Sequence, residues 1–183
     1  MKKLLVVICV ALFALACAAQ GGGGDKKMQA STAPVNAVTD VKAAYANIKG
    51  NVTKMAEKMP EENYGFKASP DIRTFGELMA HIATAQQLYC SMAAGEMKRP
   101  ADVKGSKADI VAAVKGSFDA CDAVFNSLTD ASAVEGVAGR RGQTMRISVL
   151  WGMIVHSNEE YGYGSIYLRL KGIVPPSSDT AAK

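Results

Sequence analysis

Histidine is almost missing from this chain of 183 residues: there are two, His81 and His156. Any chemistry that needs imidazole must be built on those positions. Cysteine is scarce as well, and none of the four stands in a CxxC spacing, which excludes a thioredoxin-type redox pair and the paired-cysteine zinc sites. The long apolar run is confined to residues 4–16, LLVVICVALFALA, shorter than the roughly 20 residues that span a bilayer. Convincing strand patterns are also absent. Charge of one sign is not in excess, since the formal net charge is +4, and loss of Lys2 and Lys3 with a leader would bring it to +2 (4 − 2).

The apolar run follows Met1-Lys2-Lys3 and ends in small residues, the order of a signal peptide, so export is expected with residues 1–16 removed, or a cut as late as residue 19. Ala14-Leu15-Ala16-Cys17 is similar to a lipoprotein cleavage box, although Ala14 stands where leucine is usual. Cys17 is therefore the candidate lipidation site. An ordinary small-x-small cut fits nearly as well, and the location is periplasm, cell envelope or extracellular. Residues 17–36, rich in Gly, Ser, Thr and Lys, read as a flexible linker. Membrane contact is expected only through a lipid at Cys17.

At 49% hydrophobic the remainder suffices for one domain with a core. Val38, Val41, Tyr45, Ile48, Val52, Met55 and Met59 step by three and four, predicting a first helix that Pro60 ends. Thr74 and Glu77 have capping-box spacing and open a second helix reaching about Gly95. Ser106 and Asp109 open a third, with Ile110, Val114, Cys121, Phe125 and Leu128 as its stripe. Residues 130–143 suggest a loop or a short hairpin. A fourth helix then runs from about Thr144 to Leu170, stopped by Gly172 and Pro175-Pro176. Four helices and no clear strand predict an all-α bundle over residues 37–176, with 177–183 a disordered tail. Arg140, Arg141 and Arg146 form the basic cluster, but no aromatics alternate with it, so a nucleic-acid partner is not expected.

His156 and Glu160, four apart on the fourth helix, lie about 40° apart in projection and about 6 Å along the axis, within reach of one ion. His81 borders the apolar face of the second helix beside Leu78 and Ile82. The plain alternative is an exposed i,i+4 pair worth tenths of a kcal/mol and a core histidine. Tyr161, Tyr163 and Tyr167 could line a cavity mouth or simply pack.

NYGFKASPDIRTFGELMAHIA and HSNEEYGYGSIYLRLKGIVPP together resemble the DinB-like family of damage-inducible four-helix bundles, over about residues 37 to 176. The resemblance implies an up-down-down-up bundle in which one histidine of the second helix and an HxxxH pair on the fourth hold one divalent metal. By position His81 and His156 match two ligands, and the third falls on Glu160, so HxxxH has become HxxxE. The ion would be Zn, Mn, Fe or Ni, with the carboxylate favouring the harder ions.

In that helix order the second and third helices run parallel, and Cys90 and Cys121 lie at similar heights. A disulfide between them is expected, the alternative being two buried thiols. Relatives of the fold include bacillithiol S-transferases and mycothiol-dependent maleylpyruvate isomerases, but those thiols are cytosolic. The resemblance implies a fold and a site rather than a reaction; an ion on three protein ligands leaves room for water, so the expected activity is that of a metal-dependent hydrolase or a transferase acting on an unidentified small molecule, with no separate catalytic base evident. The alternative is an inactive envelope bundle that binds a metal, a small ligand or a partner, and a homodimer is compatible with either.

Overall fold

The computed structural model describes residues 36–139 and 142–180. The expected leader, Cys17 and most of the linker lie outside them, as do Arg140 and Arg141. Asn36 starts helix α1 (Ala37–Lys58), its side-chain oxygen accepting from the amides of Val38 at 2.8 Å and Thr39 at 3.2 Å. These bonds satisfy two of the donors that every helix start leaves open. Val41, Tyr45, Ile48, Val52 and Met55 are all buried, so the three-and-four stepping of the sequence is the core face.

The connection after Pro60 is pinned to the helices on both sides. The Tyr64 hydroxyl donates to the Ala56 carbonyl at 2.5 Å, and the Gly76 amide donates to the Tyr64 carbonyl at 2.8 Å. A Cβ at Gly76 would sit 3.2 Å from that same carbonyl oxygen, closer than a side chain comfortably allows. Helix α2 (Phe75–Ala94) opens with the capping box read from the sequence: Glu77 N to Thr74 Oγ1 at 3.1 Å and Thr74 N to Glu77 Oε2 at 2.7 Å. It closes on Gly95 in the left-handed region, φ 84°. Helix α3 (Lys107–Ser127) carries the second box, Ser106 with Asp109.

A one-turn helix α4 (Asp130–Ala133) and an antiparallel hairpin, β1 (Gly136–Gly139) with β2 (Gly142–Met145), fill the weakly patterned stretch. They lead into α5 (Arg146–Leu170). Arg146 is a structural tie: its guanidinium donates to the Ala93 carbonyl, to the Ser132 carbonyl at 3.1 Å and to Glu135 at 2.8 Å. These bonds fasten the end of α2 to the start of α5.

Contacts between the long helices set the topology. Gln86 faces Ser117 and Cys90 is bonded to Cys121, so α2 and α3 run parallel. Tyr45 reaches Asp122 while Lys107 reaches the Glu57 carbonyl, which makes α1 and α3 antiparallel. Arg73 meets Tyr167 and Tyr89 meets His156, so α2 and α5 are antiparallel too. The order is up-down-down-up. The core between them holds Phe75, Phe118, Phe125, Ile48, Leu150 and Leu168, all 2% exposed or less. Among the described residues no helix is long and apolar enough to cross a membrane.

The C-terminal end corrects the expected boundary at residue 177. A short 3₁₀ turn, Pro176–Ser178, packs back on the bundle: Ser177 N donates to the Tyr161 hydroxyl at 2.9 Å, and Lys58 pairs with Asp179 at 2.5 Å. Composition alone reads this stretch as tail. The partners that hold it are distant in the chain, on α1 and α5.

A partly buried polar contact joins α1 to α3. The Tyr45 hydroxyl donates to Asp122 Oδ1 at 2.6 Å, and Lys49 Nζ lies 2.5 Å from Oδ2. Burial pushes the Asp122 carboxyl up, but the hydrogen bonds from Lys49 and Tyr45 outweigh it and hold the group below the usual carboxylate range. A depressed folded-state pKa contributes stability above the unfolded value, about 3.9, that is lost as pH falls through the folded value. Tyr45→Phe is expected to cost about 1–2 kcal/mol in urea denaturation at neutral pH and to shrink the difference between neutral and acid stability. An unchanged acid-side slope would count against the contact.

Candidate metal centre

His81 on α2 and His156 and Glu160 on α5 face one another across the α2–α5 seam. Glu160 Oε1 lies 3.4 Å from His81 Nε2 and 3.7 Å from His156 Nδ1. The two imidazoles meet edge to face, centroids 5.1 Å apart at 81°. One donor atom from each residue lies within 4.8 Å of the other two. The side chain of Glu160 is 8% exposed, against 32% for His81 and 21% for His156, so the carboxylate forms the floor and the rings form the sides.

These residues fit a divalent cation. Two ligands each about 2.1 Å from an ion at a tetrahedral angle are separated by roughly 3.4 Å, close to the spacing of the Glu160 and imidazole atoms. Glu160 Oε2 is buried without a hydrogen-bond partner, and an unsatisfied buried acceptor costs about 1–3 kcal/mol, more when charged. A cation at this point would offset that cost. Burial, then the charge of Arg73 and the neighbouring His156, lower the His81 pKa against the opposing pull of Glu160. The neutral ring keeps a lone pair for a ligand bond.

A cleft of about 610 Å³ opens beside the triad, with Glu160 in its wall. Leu78 comes from α2, Tyr163, Ile166 and Tyr167 from α5, and Ala68, Ile72 and Arg73 from the connection before α2. The Tyr167 hydroxyl donates to the Arg73 carbonyl at 2.5 Å, fixing this connection against α5. Burial raises the Tyr167 pKa, keeping the phenol protonated for that bond.

Of the three tyrosines, Tyr163 and Tyr167 line the cleft and Tyr161 does not. Tyr161 is buried on another side of α5, where its hydroxyl engages Ser177 at 3.0 Å. At about 100° per residue Tyr161 stands roughly 160° round the helix from Tyr163, a separation already present in the spacing. Tyr163 is half exposed and donates to Glu159 at 3.0 Å, a bond that raises its pKa. The tyrosine hydroxyls thus bond within the chain, and the rings of Tyr163 and Tyr167 serve as wall. Arg169 reaches Ser178 at 3.3 Å and steadies the C-terminal turn.

Sequence reading missed Arg73 and the stretch 68–73 as cleft residues. The signal was faint: a cation directly before the cap of the histidine-bearing helix. Cys90 and Cys121 lie away from the triad, joined as a disulfide with Cα atoms 5.3 Å apart.

Comparison with known proteins agrees with this fold. A family model described as the DinB superfamily matches residues 46–163. Comparison with curated proteins found no match. A crystal structure of a DinB-like protein from Bacillus cereus is similar at a TM-score of 0.64 and 20% identity, over 75% of this chain and 95% of that one. A DinB-like protein from Bacillus subtilis is similar at 0.62 and 17% identity, over 73% and 92%.

Proposed function

The chain belongs to the DinB superfamily, and from that premise we infer that it is an exported divalent-metal protein acting on a small molecule as a hydrolase. The observation that carries the reading is the convergence of His81, His156 and a buried Glu160 whose second oxygen has no partner. These three residues would hold the ion. When bound, a divalent ion supplies Lewis acidity, polarising an oxygen ligand and making water acidic enough to ionise near neutral pH.

The rest of the chemistry falls to the protein. Ile72, Leu78 and Ile166 provide an apolar wall, which lowers the local dielectric and strengthens polar contacts inside. Tyr167 holds the Arg73 segment in place, so the cleft is preformed. Glu160, committed as a ligand, does not serve as a base. The disulfide supports an oxidising compartment, and such a compartment speaks against transfer from a cytosolic thiol.

Metal analysis of protein purified without added metal, followed by a panel of small esters, amides and phosphoesters with and without chelator, tests the reading. One ion per chain and chelator-sensitive hydrolysis are expected. Metal uptake with no turnover would replace the hydrolase by a binding module, and no uptake would remove both.

A further inference from the structure

We propose that the cleft beside the triad binds a small anionic amphiphile, its carboxylate or phosphate on Arg73 and its apolar body between Ile72, Leu78, Ile166 and the ring of Tyr163. The proposal deepens the hydrolase reading and rests on it only for which end of the ligand reacts. Arg73 is exposed, and among the described residues its guanidinium has no hydrogen bond or ion pair, although it sits in the wall of a largely apolar cleft. The volume, about 610 Å³, suits a small ligand. A planar fork of donors with nothing to bind inside the protein is suited to a carboxylate or phosphate.

Two acids also line the cleft, Asp71 and Glu160, and Glu77 is close to Arg73. Glu77 is already engaged by the amide and hydroxyl of Thr74. Glu160 turns its Oε1 toward both imidazoles. Arg73 is the one cation among the residues that line the cleft. The head group therefore belongs at Arg73, and the uncharged end of the ligand points to Glu160 and the histidines. That end would carry the bond to be cleaved.

Calorimetric titration with octanoate, octyl phosphate, 1-octanol and octylammonium tests the assignment, on chelator-treated and manganese-loaded protein. Both anions are expected to bind more tightly than octanol or octylammonium. Arg73→Ala should weaken them about tenfold or more and leave octanol unchanged, with Arg73→Lys recovering part of the loss. Because the Arg73 side chain makes no internal bond and its carbonyl is kept, the fold should survive, as circular dichroism would verify. Equal octanoate affinity in wild type and Arg73→Ala, or tighter binding of octylammonium, would overturn the proposal. A His81→Ala, His156→Ala variant separates the two readings: Arg73-dependent octanoate binding in a wild-type protein that takes up no more metal than this variant supports the cleft assignment and sinks the metal centre alone.

Discussion

Replacing His81 and His156 together by alanine is expected to abolish uptake of one divalent ion per chain and the thermal stabilisation that the ion gives. Three donors from two helices are needed to close the site, and removal of both imidazoles leaves only Glu160, an insufficient set. At a metal concentration 100 times Kd, binding to the folded state adds about 2.7 kcal/mol, which for a domain of this size raises Tm by roughly 5–11 °C. The double variant should show none of this rise, and chelator should bring wild type down to its own metal-free value. Glu160→Gln sharpens the test. It should lose most of the metal affinity while its metal-free form is at least as stable as wild type, because a buried carboxylate with one unpaired oxygen has become a neutral amide. Glu160→His should bind metal but shift preference toward zinc over manganese. Identical melting curves for wild type with metal and with chelator would rule out a site filled under the conditions used.

Opening the Cys90–Cys121 disulfide is the second large effect. The bridge closes a loop of 31 residues that includes the long connection between α2 and α3, and constraining the unfolded chain over that length contributes about 3–4 kcal/mol. A Cys90→Ala, Cys121→Ala variant, or wild type in strong reductant, should unfold at a lower urea concentration by that free energy. Both sulfurs are buried, at 3% and 0% residue exposure, so reduction should require partial unfolding and proceed slowly under native conditions. Superimposable denaturation curves with and without reductant would remove the bridge from any account of stability.

Both effects depend on features that were unequally visible in the sequence. The helix starts were legible because their signals are local: Thr74 with Glu77, and Ser106 with Asp109, each bond across three residues wherever the rest of the chain goes. The core face of α1 was legible for the same reason, since one apolar stripe on a polar helix has one place to turn. Helix α5 was not. Trp151, Val155, Ile166 and Leu170 are exposed while Val149, Leu150, Met153 and Leu168 are buried, so apolar residues surround it and periodicity does not say which face is inward. Spacing separates Tyr161 from Tyr163 round the helix, but only the packing shows that Tyr161 faces Ser177 and that Tyr163 and Tyr167 face the cleft.

By itself the sequence determined the number of long helices and most of their ends through periodicity and capping chemistry, and it named the three side chains able to share an ion once the family resemblance was added to the i,i+4 spacing and the scarcity of histidine. Tertiary structure alone decided that Glu160 is buried with an oxygen unmet, that Arg73 stands in the cleft wall, and that residues 176–179 dock on the bundle. Burial and pairing across the bundle join positions far apart in the chain, and the strength of such contacts depends on which helix faces which. Spacing along one helix carries no record of that.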